Sequence, residues 1–311
     1  ADAHRALADA LVAAGAAERL ADGAIVLPAV ERDVVIPDLS RGPIRLPAGA
    51  IGRTVLLRAD GRPTFHLATA CDDHDLGITV VLRGEDHIAN TAVQLVLAAA
   101  GGFAPPAFAH LPIAVGADGA KLSSSAGAAG LAALRADGVP PAAVVDWLAR
   151  SACPPLTALP ASDADALAAA FDPTRLGHGT TRLDPDLLAS LGRDHLARLE
   201  PDALAALVLE RVDADPAAVR ALAPGLGDAS TLAEAAALVR GVLDRPVPLP
   251  PTDEDRTAAA ALLDGDVETA GKKAVRRVLT GADRGVPLPF VLAALPRDEV
   301  VARAQAVLDQ P

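Results

Sequence analysis

The stretch Ile78-Thr79-Val80-Val81-Leu82-Arg83-Gly84-Glu85-Asp86-His87 decides the fold class of this 311-residue chain. Residues 78–82 form an apolar run that is typical of a buried parallel strand, and residues 89–100 have the pattern of a helix. This alternation indicates an α/β fold, in which ligands bind at the carboxyl ends of the strands. A cation, two carboxylates and an imidazole at this strand end therefore suggest a binding site. The alternative is a solvated turn in which Asp86 caps the helix.

The rest of the chain divides into an α/β part and a later all-α part. Before the central stretch we predict a helix at 1–20, strands at 25–27, 34–36 and 54–57, and a helix at 67–71. After it we predict a strand at 113–115, a hairpin corner at 117–119, and helices at 131–136 and 141–149. The proline-rich residues 153–160 are the best candidate for a linker. Beyond it the predicted elements are helices at 164–171, 185–191, 201–212, 217–222, 232–243, 256–263, 267–279 and 299–308.

Composition narrows the function classes. A hydrophobic share of 51 % excludes general disorder, and an aromatic share of 2 % argues against an all-β sandwich. The net charge of −12 argues against a polyanion or membrane-surface binder that works by total charge. Two distant cysteines, with no signal-like leader, predict a reducing, cytoplasmic setting. The most apolar stretch, 92–115, is interrupted by polar residues, glycine and proline, so no membrane span is expected.

Lysine occurs at only three positions, and two of the candidate sites contain them. Lys121 precedes Ser123, Ser124 and a glycine, an arrangement that could hold phosphate oxygens; a flexible Ser/Gly loop is the alternative. Lys272, Lys273 and two arginines, at 276 and 277, recur at helical spacing and could lie along a nucleic-acid backbone. A solvated helix face is the alternative there.

Two smaller features complete the candidates. Arg175 and Arg182 flank a Gly-His-Gly turn and could extend a basic surface. Cys71 and His74 are spaced like half of a zinc site but have no partner pair, so no metal is predicted. Trp147, at helical spacing from Val144, is expected to pack in the core.

Several of these blocks occur in one order that resembles the class I glutamyl-tRNA synthetases. The matching blocks are Leu56-Leu57-Arg58-Ala59-Asp60-Gly61-Arg62-Pro63-Thr64-Phe65, Cys71-Asp72-Asp73-His74, Gly77-Ile78-Thr79, Leu82-Arg83-Gly84-Glu85-Asp86-His87, Phe108-Ala109-His110-Leu111-Pro112 and Lys121-Leu122-Ser123-Ser124-Ser125-Ala126-Gly127-Ala128. The last block stands where the family has its phosphate loop. The segments at 171–184 and 271–289 resemble the family's stem-contact region and its helical anticodon-side end. The combination covers most of the chain and is specific.

The resemblance implies a domain organisation. It implies a partial Rossmann-like catalytic region with a remnant of the acceptor-binding insertion at residues 1–152. A stem-contact region at 153–200 and an α-helical, anticodon-binding-like domain at 201–311 follow. The expected fold is thus an incomplete class I catalytic region followed by helices.

The resemblance also assigns roles to residues. Arg83 is implied to bind the glutamate side-chain carboxylate, with Phe65 and Thr69 in the amino-acid pocket. Asp86, His87 and Lys121 are implied to bind the nucleotide. The implied catalytic residues are Lys121, Ser123 and Ser124, and the implied tRNA-binding residues are Arg175, Arg182, Lys272, Lys273 and Arg276.

The departures from the family pattern qualify the expected activity. The chain has no Pro-Ser-Pro-Thr-Gly loop and no His-Ile-Gly-His helix start, and Ser124 replaces the second lysine of the phosphate loop. Phe65 replaces a tyrosine, and the cysteine-rich zinc insertion is absent. The resemblance therefore implies a truncated or degenerate member.

We expect such a member to use ATP with Mg²⁺, glutamate and a glutamate-specific tRNA, without zinc. It would be weak or inactive alone, unless a separate amino-terminal half completes it. The alternatives are a non-catalytic binder of tRNA or glutamyl-tRNA, and a specialised-metabolism enzyme that uses activated glutamate.

Overall fold

A computed structural model describes residues 2–116, 119, 130–244, 250–265, 267 and 271–310. The chain divides into two compact units, each built from three separate stretches of the sequence. The first unit comprises Ala1–Leu122, Ala149–Leu159 and Leu167–Leu183. The second comprises Ser123–Leu148, Pro160–Ala166 and Asp184–Pro311. In the described part of the chain, no helix has the length and apolar character that crossing a membrane requires.

The first unit is a mixed α/β structure. Its helices are α1 (Asp2–Ala13), α2 (Phe65–Asp75) and α3 (Ile88–Gly101). Its strands are β1 (Glu18–Arg19), β2 (Ile25–Leu27), β3 (Val34–Asp38), β4 (Gly42–Leu46), β5 (Thr54–Leu57), β6 (Val80–Gly84), β7 (Ala107–Leu111), β8 (Ala114–Val115) and β9 (Thr181–Arg182). The predicted α/β class of this part is confirmed.

The main sheet has the strand order β4-β3-β7-β6. Strands β3 and β4 form an antiparallel hairpin, whereas β7 is parallel to both β3 and β6. The register sets Arg83 of β6 opposite His110 of β7, and Asp38 at the end of β3 opposite Phe108. The carboxyl ends of three neighbouring parallel strands thus lie at one edge of the sheet, where ligands of α/β proteins bind.

The strand predicted at 78–82 is parallel, as expected, but it is not buried. It runs from Val80 to Gly84, and the side chains of Val80 and Leu82 are 44 % and 41 % exposed. The reason is its place in the sheet: among the described residues, β6 pairs on one side only, with β7. An apolar run therefore identified the strand correctly but not its burial, because burial depends on what packs against both faces.

Two other predictions in this unit need correction. Helix α1 ends at Ala13, not at residue 20, because Gly15 adopts a left-handed conformation with φ of 72° and β1 follows. The proline-rich segment predicted as a linker is packed instead: residues Pro154–Ala158 form a 3-10 turn, and the side chains of Cys153 and Leu156 are buried beside Ala109. Proline restrains the turn, and the apolar side chains between the prolines anchor it.

The rest of the described chain is helical apart from β9. The helices are α4 (Leu131–Asp137), α5 (Pro141–Ala152), α6 (Ala164–Ala170), α7 (Pro185–Ala197), α8 (Pro201–Leu209), α9 (Pro216–Leu222), α10 (Leu232–Leu243), α11 (Asp253–Asp264), α12 (Lys272–Thr280), α13 (Leu288–Ala294) and α14 (Arg297–Leu308). The predicted helical second half is confirmed, although α13 was not predicted because prolines at 287 and 289 resemble a turn.

Side-chain caps explain where several of these helices begin. Asp184, Asp215, Thr231 and Thr252 each accept a hydrogen bond from a backbone N–H of the first turn of the helix they precede. At the other end, buried Arg303 of α14 donates to the terminal carbonyls of α10 and α12. The second unit is thus held by an Ala, Leu and Val core and by satisfied helix ends.

Candidate functional site

The candidate site centres on Arg83, the penultimate residue of β6. Its Nη2 donates to Thr91 Oγ1 at 2.5 Å and to Gln94 Oε1 at 2.7 Å, both on α3. The guanidinium carbon lies 5.4 Å from the centre of the Phe108 ring, a cation–π contact. Helix α3 follows β6 closely, so its first turns present these acceptors at the strand end.

A line of buried polar side chains continues from Thr91 into the sheet. Thr91 Oγ1 lies 2.8 Å from His110 Nε2, and His110 Nδ1 lies 2.6 Å from Asp38 Oδ2. Asp38 Oδ1 accepts from the backbone amides of Ser40 at 2.9 Å and Arg41 at 2.8 Å. Asp38, His110 and Arg83 therefore connect the ends of β3, β7 and β6 through one hydrogen-bonded line.

Burial and hydrogen bonding set the charges of this line. Burial acts to raise the pKa of Asp38, but hydrogen bonds from His110 and the Arg41 and Ser40 amides outweigh it, and the pKa lies below its ordinary value. Burial lowers the pKa of His110, partly opposed by Asp38. At neutral pH the line therefore holds a carboxylate, a neutral imidazole, a hydroxyl and a guanidinium.

The groups facing Arg83 from α2 respond to its charge. Burial lowers the pKa of His66, and the positive charge of Arg83 lowers it further. Burial raises the pKa of Asp73, while Arg83 opposes that rise. Burial also lowers the pKa of Arg83 itself. Partial desolvation of a cation that has no direct carboxylate contact among the described residues is what an anion-binding group requires.

Three buried nitrogen atoms, one of them on Arg83, have no hydrogen-bond partner within the described part of the chain. They are Arg83 Nε, Gln94 Nε2 and His66 Nδ1. A cavity of about 10 Å³, room for one water molecule, is lined by Gln94 and Asp73 among others. Unsatisfied buried donors cost free energy, so they favour a polar ligand or water beside them. The Arg83 and Gln94 donors suit a hydrogen-bond acceptor.

Two predicted site residues, Phe65 and His87, lie close to each other. The Phe65 ring lies 6.2 Å from the His87 ring and 5.8 Å from that of His66, at the amino-terminal end of α2. Phe65 is 52 % exposed. Thr69 is half-buried one turn further along α2, on the face that Phe65 occupies.

The acidic turn after β6 has two different roles. Glu85 forms an ion pair with Arg41 at 2.6 Å and accepts from the Ile113 amide, so it braces the neighbouring turn. Asp86 lies against the backbone of Gly84, and a Cβ at residue 84 would stand 2.5 Å from Asp86 Oδ1. The glycine is therefore explained by close packing at the turn, which starts the short 3-10 helix Glu85–His87 ahead of α3.

Sequence reasoning missed four residues of this arrangement: Asp38, Thr91, Gln94 and His110. A signal was present for two of them, because Thr91 and Gln94 are polar residues in an otherwise apolar helical run. Buried polar side chains need partners. Asp38 gave no local signal, and His110 was noted only as part of a block that resembles the family. Their pairing was not predictable because it joins residues 72 positions apart.

The predicted phosphate loop falls outside the described residues. Lys121, Ser123 and Ser124 are among the positions of which no structure is described, and so is the hairpin corner predicted at 117–119, apart from Gly119. Their implied contacts with a nucleotide stay predictions.

The predicted tRNA-binding residues lie on helices and turns in different units. In the second unit, α12 buries Ala274 and Val278 and carries Lys272, Lys273 and Arg276 on its opposite side. Internal carboxylates already engage part of this stripe: Lys273 Nζ lies 3.0 Å from Asp283, and the neighbouring arginine at 277 pairs with residues 254, 255 and 283.

Arg175 and Arg182 are exposed in the first unit. Arg175 ends a 3-10 turn, and Arg182 belongs to β9, which pairs with β8. Trp147, predicted to pack in the core, lies against Ala143, Ala161 and Leu191 of the second unit.

One group of described residues has metal-ligand chemistry. His4 Nε2, Cys71 Sγ and an Asp72 carboxylate oxygen lie within 4.8 Å of one another. His4 and Asp72 hydrogen-bond at 2.6 Å, which accounts for their proximity without an ion. His74 does not complete a pair with Cys71, since its ring stacks on Phe103 with centroids 4.6 Å apart.

Known proteins resemble the chain over nearly its whole length. The family described as "tRNA synthetases class I (E and Q), catalytic domain" matches residues 26–188. "Glutamate--tRNA ligase 1" of Acidiphilium cryptum is 35 % identical over 90 % of this chain and 68 % of its own length. The protein of the same name from Granulibacter bethesdensis is 32 % identical over 89 % of this chain and 66 % of its own length. The chain thus spans about two thirds of these curated relatives.

Solved structures share the fold. The crystal structure of a glutamate tRNA ligase from Elizabethkingia meningosepticum, in complex with its amino acid, superimposes with a TM-score of 0.77 at 18 % identity. It covers 92 % of this chain and 68 % of that chain. Glutamate-tRNA synthetase of Elizabethkingia anophelis gives a TM-score of 0.75 at 19 % identity and the same coverage. From its match to the family and to these relatives, the chain belongs to the class I glutamyl-tRNA synthetase family, whose members use ATP.

Proposed function

We propose that this protein binds glutamate at Arg83 and tRNA along its basic helix and turns, and that it charges tRNA weakly or not at all without further synthetase sequence. The observation that carries the proposal is the Arg83 guanidinium, held at a strand end by Thr91 and Gln94, with unpaired buried nitrogen atoms on Arg83, Gln94 and His66. A held cation with unsatisfied neighbouring donors matches the chemistry of a carboxylate.

Nucleotide binding is assigned to two regions. His87 and Asp86 would contact the adenosine, and the phosphates, with Mg²⁺ as their counter-ion, would meet Lys121, Ser123 and Ser124. The short 3-10 helix Glu85–His87, which precedes α3, supports this division. It carries two carboxylates, Glu85 and Asp86, and negative side chains there disfavour phosphate.

The exposed edge of the main sheet supports the proposal that an ATP-binding segment packs against it. Val80 and Leu82 of β6, and Ile78 just before it, are 39–44 % exposed, and Phe65 and Leu76 are exposed as well. Among the described residues β6 is an edge strand with exposed Val80 and Leu82, and such an edge favours addition of further polypeptide. We propose that an amino-terminal synthetase segment, in this chain's own protein or as a separate polypeptide, packs there.

ATP–pyrophosphate exchange tests the catalytic part of this proposal. It is measured with glutamate, with and without tRNA, on this chain alone and after addition of an amino-terminal synthetase half. We expect very low exchange alone and an increase on complementation. Exchange at ordinary synthetase rates by the chain alone would contradict the incomplete-site proposal.

Binding measurements test the proposed binding of glutamate and tRNA. Calorimetry with glutamate, and filter binding of tRNA at several salt concentrations, are expected to show both ligands bound, tRNA with a salt-dependent affinity. If tRNA binds and exchange stays absent even after complementation, the protein is the non-catalytic tRNA binder, a function favoured by the loss of the second loop lysine at Ser124. Absence of tRNA binding at low salt would exclude both the weak synthetase and the non-catalytic tRNA binder.

A further inference from the structure

We propose that Thr91, His110 and Asp38 form a buried relay that positions the Arg83 guanidinium for its ligand. The inference rests on the proposed binding of glutamate by Arg83. It adds three positioning residues, which act through Arg83 and come from α3, β7 and β3.

The far end of the relay fixes the direction of its hydrogen bonds. Asp38 receives two backbone N–H groups on Oδ1, so its carboxyl acts as an acceptor. The Nδ1 atom of His110, 2.6 Å from Asp38 Oδ2, must therefore carry the hydrogen. Both side chains are fully buried, so no solvent competes for this bond.

The direction then propagates to Arg83. A neutral imidazole with hydrogen on Nδ1 accepts at Nε2, so the Thr91 hydroxyl, 2.8 Å away, donates to it. The Thr91 oxygen in turn accepts from Arg83 Nη2. Every donor in the line points from Arg83 towards Asp38. The alternative partner of the Thr91 hydroxyl, the His87 carbonyl, is more distant at 3.3 Å.

The relay explains how the guanidinium is oriented. Both hydrogens of Nη2 are engaged, by Thr91 and Gln94, while the Phe108 ring lies against the guanidinium. In the described part of the chain, Nη1 is then the terminal nitrogen left to meet a ligand carboxylate. Since the side chain is already ordered, ligand binding loses less conformational freedom.

Paired substitutions at Thr91 test the relay through affinity. Thr91→Val keeps the shape and removes the hydroxyl, whereas Thr91→Ser keeps it. Glutamate dissociation constants are measured by calorimetry. We expect about tenfold weaker binding for Thr91→Val, with rescue to within about twofold by Thr91→Ser.

Val93→Ala is the matched control. Val93 is a buried neighbour on α3 outside the relay, and its truncation should lower the thermal midpoint without changing glutamate affinity. Equal affinity of Thr91→Val and the unchanged protein, or an equal loss in Val93→Ala, would overturn the positioning role.

A second measurement does not require glutamate. Nitrogen-15 NMR of histidine-labelled protein at pH 7, with His110 assigned from His110→Gln, is expected to show the neutral Nδ1–H tautomer. An Nε2–H tautomer or an imidazolium would overturn the relay. If the protein shows the expected tautomer but binds no glutamate, the proposed function fails and the relay remains.

Discussion

His110 and Asp38 form a fully buried pair, with His110 Nδ1 and Asp38 Oδ2 2.6 Å apart at the ends of two neighbouring parallel strands. The pair is connected to Arg83 through Thr91, and both of its side chains are shielded from solvent. It ties the residue that ends β3 to the strand that precedes the helical part of the chain. Its protonation therefore affects both the stability of the first unit and the orientation of the candidate ligand-binding cation.

Stability is expected to fall as the pH decreases below about 6.5. The pKa values of His110 and His66 are lowered in the folded protein by burial, so the unfolded chain binds more protons once the pH passes below the ordinary histidine value. Each histidine can lower the free energy of unfolding by up to about 1.4 kcal/mol per pH unit in that range. Above pH 7 both are neutral in either state, and this contribution is constant.

Urea unfolding between pH 7.5 and 5 measures this effect. His110→Gln is expected to be less stable at pH 7.5, because the Asp38 bond is weakened, and to show a shallower decline towards pH 5. His66→Gln should reduce the decline without the loss at pH 7.5, because His66 Nδ1 has no partner among the described residues. A decline equal to that of the unchanged protein in both variants would contradict the assignment.

Arg83→Lys is expected to weaken glutamate binding about 10- to 100-fold, as calorimetry would show. Lysine keeps the charge, but one ammonium cannot reach Thr91, Gln94 and a ligand carboxylate in the directions that the planar guanidinium serves. Hydrogen bonds to charged groups contribute about 1.5–3 kcal/mol each, which corresponds to this range.

The matched substitution is Arg62→Lys on the exposed turn before α2, where Arg62 pairs with Asp60. It should leave glutamate affinity unchanged. Similar affinities for Arg83→Lys and Arg62→Lys would remove Arg83 from the ligand site.

The two lysines of α12 should contribute unequally to tRNA binding. Lys273 is already paired with Asp283 at 3.0 Å, whereas Lys272 has no such ion pair among the described residues. Lys272→Gln is expected to reduce the slope of log affinity against log salt by about 0.7 to 0.9, the loss of one phosphate contact. Lys273→Gln should reduce it less.

Filter binding across a salt series gives these slopes, and Asp283→Asn provides the opposite change. Releasing the cations from that carboxylate should strengthen tRNA binding at low salt. If all three variants have the slope of the unchanged protein, α12 does not contact the nucleic acid.

Two helical glycines of the second unit should respond to alanine with opposite signs. A Cβ at Gly192 in α7 would collide with the backbone carbonyl of Ser230, so Gly192→Ala should destabilise the protein by about 1–3 kcal/mol. Gly241 in α10 is exposed with open space around it, and Gly241→Ala should stabilise by about 0.5–1 kcal/mol. Urea midpoints decide both, and a destabilised Gly241→Ala would contradict an open, exposed helical position for Gly241.

Local patterns predicted most of the elements. The strands at 25–27 and 54–57 coincide with β2 and β5, and helices α2, α3 and α10 lie where their apolar spacing predicted them. Strand β4 and helix α13 were missed because glycine and proline at their starts resemble turns. The prediction that β6 is buried was wrong, because hydropathy describes each residue and does not show whether other elements pack against its strand.

The family and the position of Arg83 follow from the sequence, because an ordered set of motifs is local information. The side chains that surround that cation follow from the packing of distant segments. Asp38, Thr91 and His110 meet through the parallel pairing of β3, β7 and β6 and the helix that follows β6. Strand pairing joins distant segments, and residue spacing along the chain does not encode their distance in space.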